Sequence, residues 1–231
     1  HYIVEERFTK NTFSDSEMNK NIILLQSMFA VTFTANRDSR WLYESLRFLF
    51  NHIEELDQPE FGSYFKDFLE IMAVRYAEGR LFTEEDMLKK YGDIPVYAFN
   101  FVDYILWKNR EELGRKYKGV KFDHFKFAYR RSIEHWFPQH PNSDEKIEKM
   151  DDQFLHSFGN LCIITDSQNS KFGNLVPSAK YKQWEGIFDR QSLKLQIMAN
   201  ITEKTKWESY QIKGLEKEIL PMVKRFIESK S

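Results

Sequence analysis

"RRSIEHWFPQHP", residues 130–141, is the stretch on which the reading of this chain turns. It crowds an acid, two histidines, a tryptophan and two prolines together at the end of a basic, aromatic run. Read as packing, Trp136 and Phe137 belong to a core, and Glu134 and His135 are polar residues at a strand end. Read as chemistry, Glu134 is a hard oxygen ligand for a divalent cation and His135 is a base that takes a proton from water. The residues downstream separate these two readings.

Some 25 positions later come "FGNL" around Asn160, then "LCIIT" (residues 161–165), then "SQN" ending at Asn169. The apolar, β-branched composition of 161–165 predicts a short buried strand. With the extended segment before His135, the order is strand, long loop, strand, helix: a ββα hairpin with polar groups at its open end. Gly159 suits a tight turn, and Cys162 reads as a small buried side chain in the hairpin. Singly, each polar residue has an ordinary explanation. A lone histidine among aromatics is structural, an asparagine after glycine is a turn residue, and Asn169 is a helix-start residue. Order and spacing together favour the chemical reading.

These pieces resemble the HNH nucleases, whose pattern is acid-His-hydrophobic-x-Pro, then Asn-Leu before a strand, then a third Asn or His on a helix. The chain offers Glu134-His135-Trp136-Phe137-Pro138-Gln139, Asn160-Leu161 and Asn169. The run "TDSQNSKFGNLVPSAKY" (165–181) looks like the HNH domain of the CRISPR effector nucleases. A closer likeness is to the C-terminal domain of GmrSD-type (type IV) restriction endonucleases, with Lys180-Tyr181, Trp184, Arg190 and Trp207 fitting its later part. That likeness is good over 131–231 and weaker before it. It departs in having Glu as the first acid, where many HNH proteins have Asp, and in a long, acidic loop over 139–158.

The resemblance implies phosphodiester hydrolysis of DNA. His135 is the expected general base and Asn160 the organiser that bridges the ends of the loop. Glu134 and Asn169 are the expected ligands of one Mg²⁺ or Mn²⁺, with Asn174 in place of Asn169 if the helix begins later. Arg130, Arg131, Lys171 and Lys180 are expected on DNA. His140 and His156 lie nearby; His140 reads as a loop residue, and neither has an assigned role. The implied protein is a modification-dependent, phage-defence restriction enzyme of a bacterium or archaeon, acting on modified or phage DNA. An upstream nucleotide-hydrolysing domain is implied too, although this sequence has no GxxxxGK[ST] loop. The alternatives are a non-catalytic DNA-binding or assembly module with a degenerate HNH fold, and a helical interaction domain with an accidental match.

Composition sets the outer limits. Of 231 residues, 42% are hydrophobic and 21 are phenylalanine, ample for a packed core, so disorder is excluded. Net charge is -1, so any nucleic-acid surface must come from local segregation. A single cysteine excludes an internal disulfide and a Cys-based zinc site, and points to a reducing, cytoplasmic setting. No apolar run is long enough to span a membrane. The chain begins at His1 and reads as the C-terminal part of a longer protein.

Helical spacing dominates the first half. A cap at Ser14 or Asp15 opens one helix, and Trp41, Leu42, Leu46, Leu49 and Phe50 form the apolar stripe of a second. A third ends near Gly79, "TEEDMLKKYG" (83–92) opens on a capping-box pattern, and Pro95 opens a fifth. In "RKYKGVKFDHFKFAYRR" (115–131) seven Lys or Arg interleave with aromatics, and alternation from Val120 predicts a strand. This run is either a solvated strand or a phosphate-contacting stripe carrying Lys118, Lys121 and Lys126. Residues 178–200 read as a long helix or a broken pair, and the end as a helix kinked or divided at Pro221. The expected fold is α+β and mostly α-helical. A helical bundle fills 1–115, and an HNH domain with C-terminal helices fills 116–231 around a motif core at 131–175.

Overall fold

Asp15 caps the first helix, its carboxylate accepting the Glu17 N–H at 2.8 Å, so α1 runs Ser16–Thr32. The computed structural model describes residues 13, 15–34, 39–83, 87–142 and 149–230. Ser14, the other cap candidate, lies outside them. Helices α2 (Arg40–Asn51), α3 (Phe61–Ala77) and α4 (Val96–Lys108) come next. Helix α4 is buried along nearly its whole length, and it packs on α1 and α3 on the N-terminal side. The chain is α+β and mostly helical, as the sequence predicts.

Several boundaries differ from expectation for visible reasons. Asn109 donates its side-chain amide to the Ile105 carbonyl, ending α4, and α5 (Arg110–Lys116) starts afresh. The expected apolar stripe of α2 faces the core only in part, through Trp41 and the half-buried Leu49. Trp41 and Ser45 are buried, whereas Leu42, Leu46 and Phe50 are exposed. Of the segment 83–92, residues 84–86 lie outside the described ones. The rest is no helix: Phe82 and Leu88 form an isolated antiparallel bridge. The strand predicted from Val120 is absent. Phe122–His124 is a 3-10 turn, and Phe122 and Phe125 anchor it in the core while the chain beyond runs irregularly to Ser132.

The hairpin forms where predicted but is short. Strand β1 (Ser132–His135) pairs antiparallel with β2 (Leu161–Ile164), Glu134 opposite Cys162 and His135 opposite Leu161. Between them lies α6 (Asp152–Leu155). After β2, α7 (Asp166–Phe172) is capped by Thr165 in a reciprocal capping box with Gln168. The Asp166 carboxylate accepts from Arg131 and Ser132, which ties α7 to β1. The broken pair is realised as α8 (Pro177–Trp184) and α9 (Leu193–Lys204). The last helix, α10 (Ser209–Glu228), carries Pro221 inside it and is not divided. Helices α9 and α10 and strand β2 pack on the other side of α4, so one contiguous core joins the two halves. None of the described helices is long and apolar enough to cross a membrane.

Candidate active site

The polar residues of the hairpin are held by one asparagine. Asn160 is fully buried at the start of β2. Its Oδ1 accepts the Phe137 N–H at 2.9 Å and the Trp207 indole N–H at 3.1 Å. Its Nδ2 donates to the Phe137 carbonyl at 3.1 Å and to the Leu155 carbonyl at 2.9 Å. Every donor and acceptor position in reach is used, so this side chain joins the end of β1, the α6 segment and the start of α10. Gly159 beside it is required by packing rather than by a turn. A Cβ there would stand 2.4 Å from the Ile212 carbonyl of α10.

His135 ends β1 with 5% of its surface exposed. Its Nε2 lies 3.1 Å from Nδ1 of His156. The Tyr91 ring covers both histidines, with centroids 4.5 Å from His135 and 6.0 Å from His156. Burial, then the neighbouring His156 and Lys180, push the His135 imidazole down to about 4, so it is neutral near pH 7. Nothing in the sequence assigns His156 a role. The signal that singles it out is its position one residue after Leu155 and close before Asn160, a proximity that becomes legible only once Asn160 is seen to clamp Leu155.

Glu134 precedes His135 and is partly exposed. Its Oε1 meets the Lys180 ammonium at 2.9 Å, and no described residue bonds Oε2. Lys180 is fully buried and also donates to the carbonyls of His135 at 2.5 Å and Trp136 at 3.0 Å. The expectation that Lys180 contacts DNA is therefore corrected: its charge is spent inside the hairpin, against Glu134 and the β1 backbone. Arg130 is corrected in the same way. It is buried, its guanidinium donating to the Arg190 carbonyl, and burial lowers its proton affinity. Lys118, Lys121, Lys126 and Lys171 stand exposed, and Arg131 is exposed while paired with Asp166 at 2.9 Å.

Asn169 sits half-buried on α7, the helix that docks on β1, and no described residue bonds its side chain. Asn174 is exposed beyond the end of α7, its carbonyl near the Asn142 N–H. His140 and His156 line a cleft of about 420 Å³ with Lys149, Asp152 and Gln139. A larger cleft of about 690 Å³ between 87–93 and α10 carries Lys89, Lys90, Lys213 and Lys217 but neither His135 nor Glu134.

A family model described as GmrSD restriction endonucleases, C-terminal domain, matches residues 83–221. That span begins before α4 and ends within α10, so it takes in the whole hairpin. No curated protein and no solved structure matches the chain.

Proposed function

Since the chain belongs to the family of GmrSD restriction endonuclease C-terminal domains, we propose that it is a divalent-metal-dependent DNA endonuclease of the HNH type, with His135 as the general base. One observation carries this reading. Asn160 fixes the segments on both sides of the hairpin's open end, with His135 at that end and the helix of Asn169 docked on β1.

The donors fit a hard cation. Glu134 offers Oε2 and Asn169 its side-chain oxygen, neither bonded by a described residue. Among the described residues no cluster of three or more His, Cys, Asp or Glu side chains is arranged to hold a metal. A set this sparse suits Mg²⁺ or Mn²⁺, which retains waters and accepts phosphate oxygens to complete its shell. Glu134 and Asn169 would hold the ion, which would supply Lewis acidity toward the phosphate and the leaving oxygen.

The chain's own residues do the rest. His135 takes the proton of the attacking water, and its burial keeps the ring in the neutral form a base requires. Asn160 keeps that ring in place by holding the next residues of the chain. Lys180 offsets the Glu134 charge and bonds the backbone beneath it. Lys118, Lys121, Lys126, Arg131 and Lys171 supply phosphate contacts. The nuclease half, 116–231, carries the chemistry, and the helices of 1–115 carry none. In this proposal the chain is the cutting module of a modification-dependent, phage-defence enzyme that works in the cytoplasm beside a nucleotide-hydrolysing domain.

The experiment is plasmid cleavage by the wild type and His135→Ala with Mg²⁺, with Mn²⁺ and with chelator. Loss of one general base lowers the rate by about 10²- to 10⁴-fold. DNA binding and Tm should persist in the variant. Equal cleavage by the two proteins would end this reading.

A further inference from the structure

We infer that His156 is a positioning residue: it fixes His135 in the tautomer whose Nδ1 carries the lone pair, so that Nδ1, and not Nε2, takes the proton from water. The inference rests on the reading of His135 as the base and names the atom that does the work.

The contact between His135 Nε2 and His156 Nδ1, at 3.1 Å, allows two arrangements. In a hydrogen bond between neutral imidazoles, one nitrogen carries the hydrogen and the other the lone pair. If His156 Nδ1 carries the hydrogen, His135 Nε2 uses its lone pair to accept it. His135 Nδ1 then bears hydrogen, and the ring has no lone pair left for water. If His135 Nε2 carries the hydrogen, it donates to His156 Nδ1, and His135 Nδ1 keeps its lone pair. Only the second arrangement serves a base. No described residue bonds His135 Nδ1, so that atom is not committed elsewhere.

His156 is itself well held. Its N–H donates to the Asp152 carbonyl at 3.1 Å, closing the end of α6. Its carbonyl accepts the Tyr91 N–H at 3.0 Å, and the Tyr91 ring lies over both imidazoles. The residue before it, Leu155, is the one whose carbonyl Asn160 binds. The amide that fixes the end of β1 therefore also fixes the segment carrying the second histidine.

The step balances with these roles. A water proton passes to His135 Nδ1 as the water oxygen bonds to phosphorus, and the leaving oxygen departs with the electron pair of its P–O bond. The resulting imidazolium bears hydrogen on both nitrogens. Its Nε2–H donates a charge-assisted bond to His156 Nδ1, stronger than the bond the neutral ring makes.

Nitrogen NMR of the ¹⁵N-histidine-labelled 231-residue protein reads the tautomer directly. The expected spectrum shows His135 protonated at Nε2 with a lone-pair signal at Nδ1. His156→Phe should give mixed tautomers, whereas His156→Asn, whose amide oxygen can accept from Nε2–H, should preserve the wild-type form. In plasmid cleavage, His156→Phe should lower kcat by about 10- to 100-fold with KM unchanged, the size of effect that losing the hydrogen-bond partner of a metal-bound imidazole has. His156→Asn should recover most of that loss. A wild-type His135 protonated at Nδ1 overturns the inference, and so does wild-type kcat in His156→Phe beside an inactive His135→Ala. Should His135→Ala cleave normally, it is the base reading that fails. Should His156→Phe not fold, the wild-type spectrum decides alone.

Discussion

Asn160→Ala removes four hydrogen bonds from a side chain with no solvent exposure. The methyl group replaces none of them. The Phe137 N–H and the Trp207 indole N–H lose their acceptor, and each buried donor left bare costs about 1–3 kcal/mol. The Phe137 and Leu155 carbonyls add less, since an under-satisfied carbonyl is better tolerated than an orphaned N–H. The expected loss is about 3–5 kcal/mol, which for a chain of this length lowers Tm by about 10 °C. Urea unfolding followed by circular dichroism gives the free energy, and calorimetry gives Tm. Asn160→Asp keeps Oδ1 and its two donors but turns an oxygen toward two carbonyl oxygens. It should lose at least as much stability at neutral pH and regain part of it on acidification, when the protonated acid can donate once. A loss below about 1 kcal/mol in Asn160→Ala, no more than one ordinary hydrogen bond, would refute the clamp.

The same geometry sets three further outcomes. Glu134→Gln keeps an oxygen for Lys180 and should fold normally, bind metal weakly and recover cleavage in excess Mn²⁺. Glu134→Ala strands a buried ammonium and should also lose about 3 kcal/mol; equal stability of the two variants in urea would refute the pairing of Lys180. Neutralising Lys118, Lys121 and Lys126 together should flatten the salt dependence of DNA binding, since each phosphate contact releases condensed counterions; an unchanged slope in a filter-binding titration would mark the run as a solvated surface. Asp103, buried with one oxygen unpartnered, has its carboxyl pushed by burial up to about 7. The folded state therefore holds a proton that the unfolded state releases. Stability from this group is present below about pH 4 and declines as pH rises to about 7, by up to about 4 kcal/mol. Asp103→Asn should remove that slope and be the more stable protein at pH 8, as read by unfolding across pH.

The hairpin is legible in the sequence because its signals are local. Strand β2 is a short apolar run bounded by Asn160 and a helix cap, and β1 ends in a polar pair beside core aromatics. What the sequence hides is direction. Lys180 and Lys171 look alike in the chain, but α8 turns Lys180 onto Glu134 while Lys171 stands on the outer face of α7. The alternation from Val120 has the period of a strand, yet Phe122 and Phe125 are pulled into a core that lies beneath a 3-10 turn. On α2 the apolar stripe is a true helical pattern, but α3 covers the side bearing Trp41 and leaves Leu46 and Phe50 outside. His156 has no motif to announce it. Its role depends on a loop closing back on β1, which the Asn160 bonds to Phe137 and Leu155 help to specify.

The contact of Trp207 with Asn160, and of α10 with Gly159, bears on the order in which this protein becomes itself during synthesis. The loop-locking amide receives its last donor from residue 207, and the backbone beside it is seated only when Ile212 arrives. A ribosome-bound chain that has already made β1, β2 and α7 still has Asn160 short of a partner and Gly159 open to solvent. Because loops of this length close only after both ends have emerged, the open end of the hairpin takes its final form only after residues 207–212 have emerged. A chain ended before Trp207 would carry every residue of the hairpin with its locking amide short of one donor and Gly159 without Ile212 beside it.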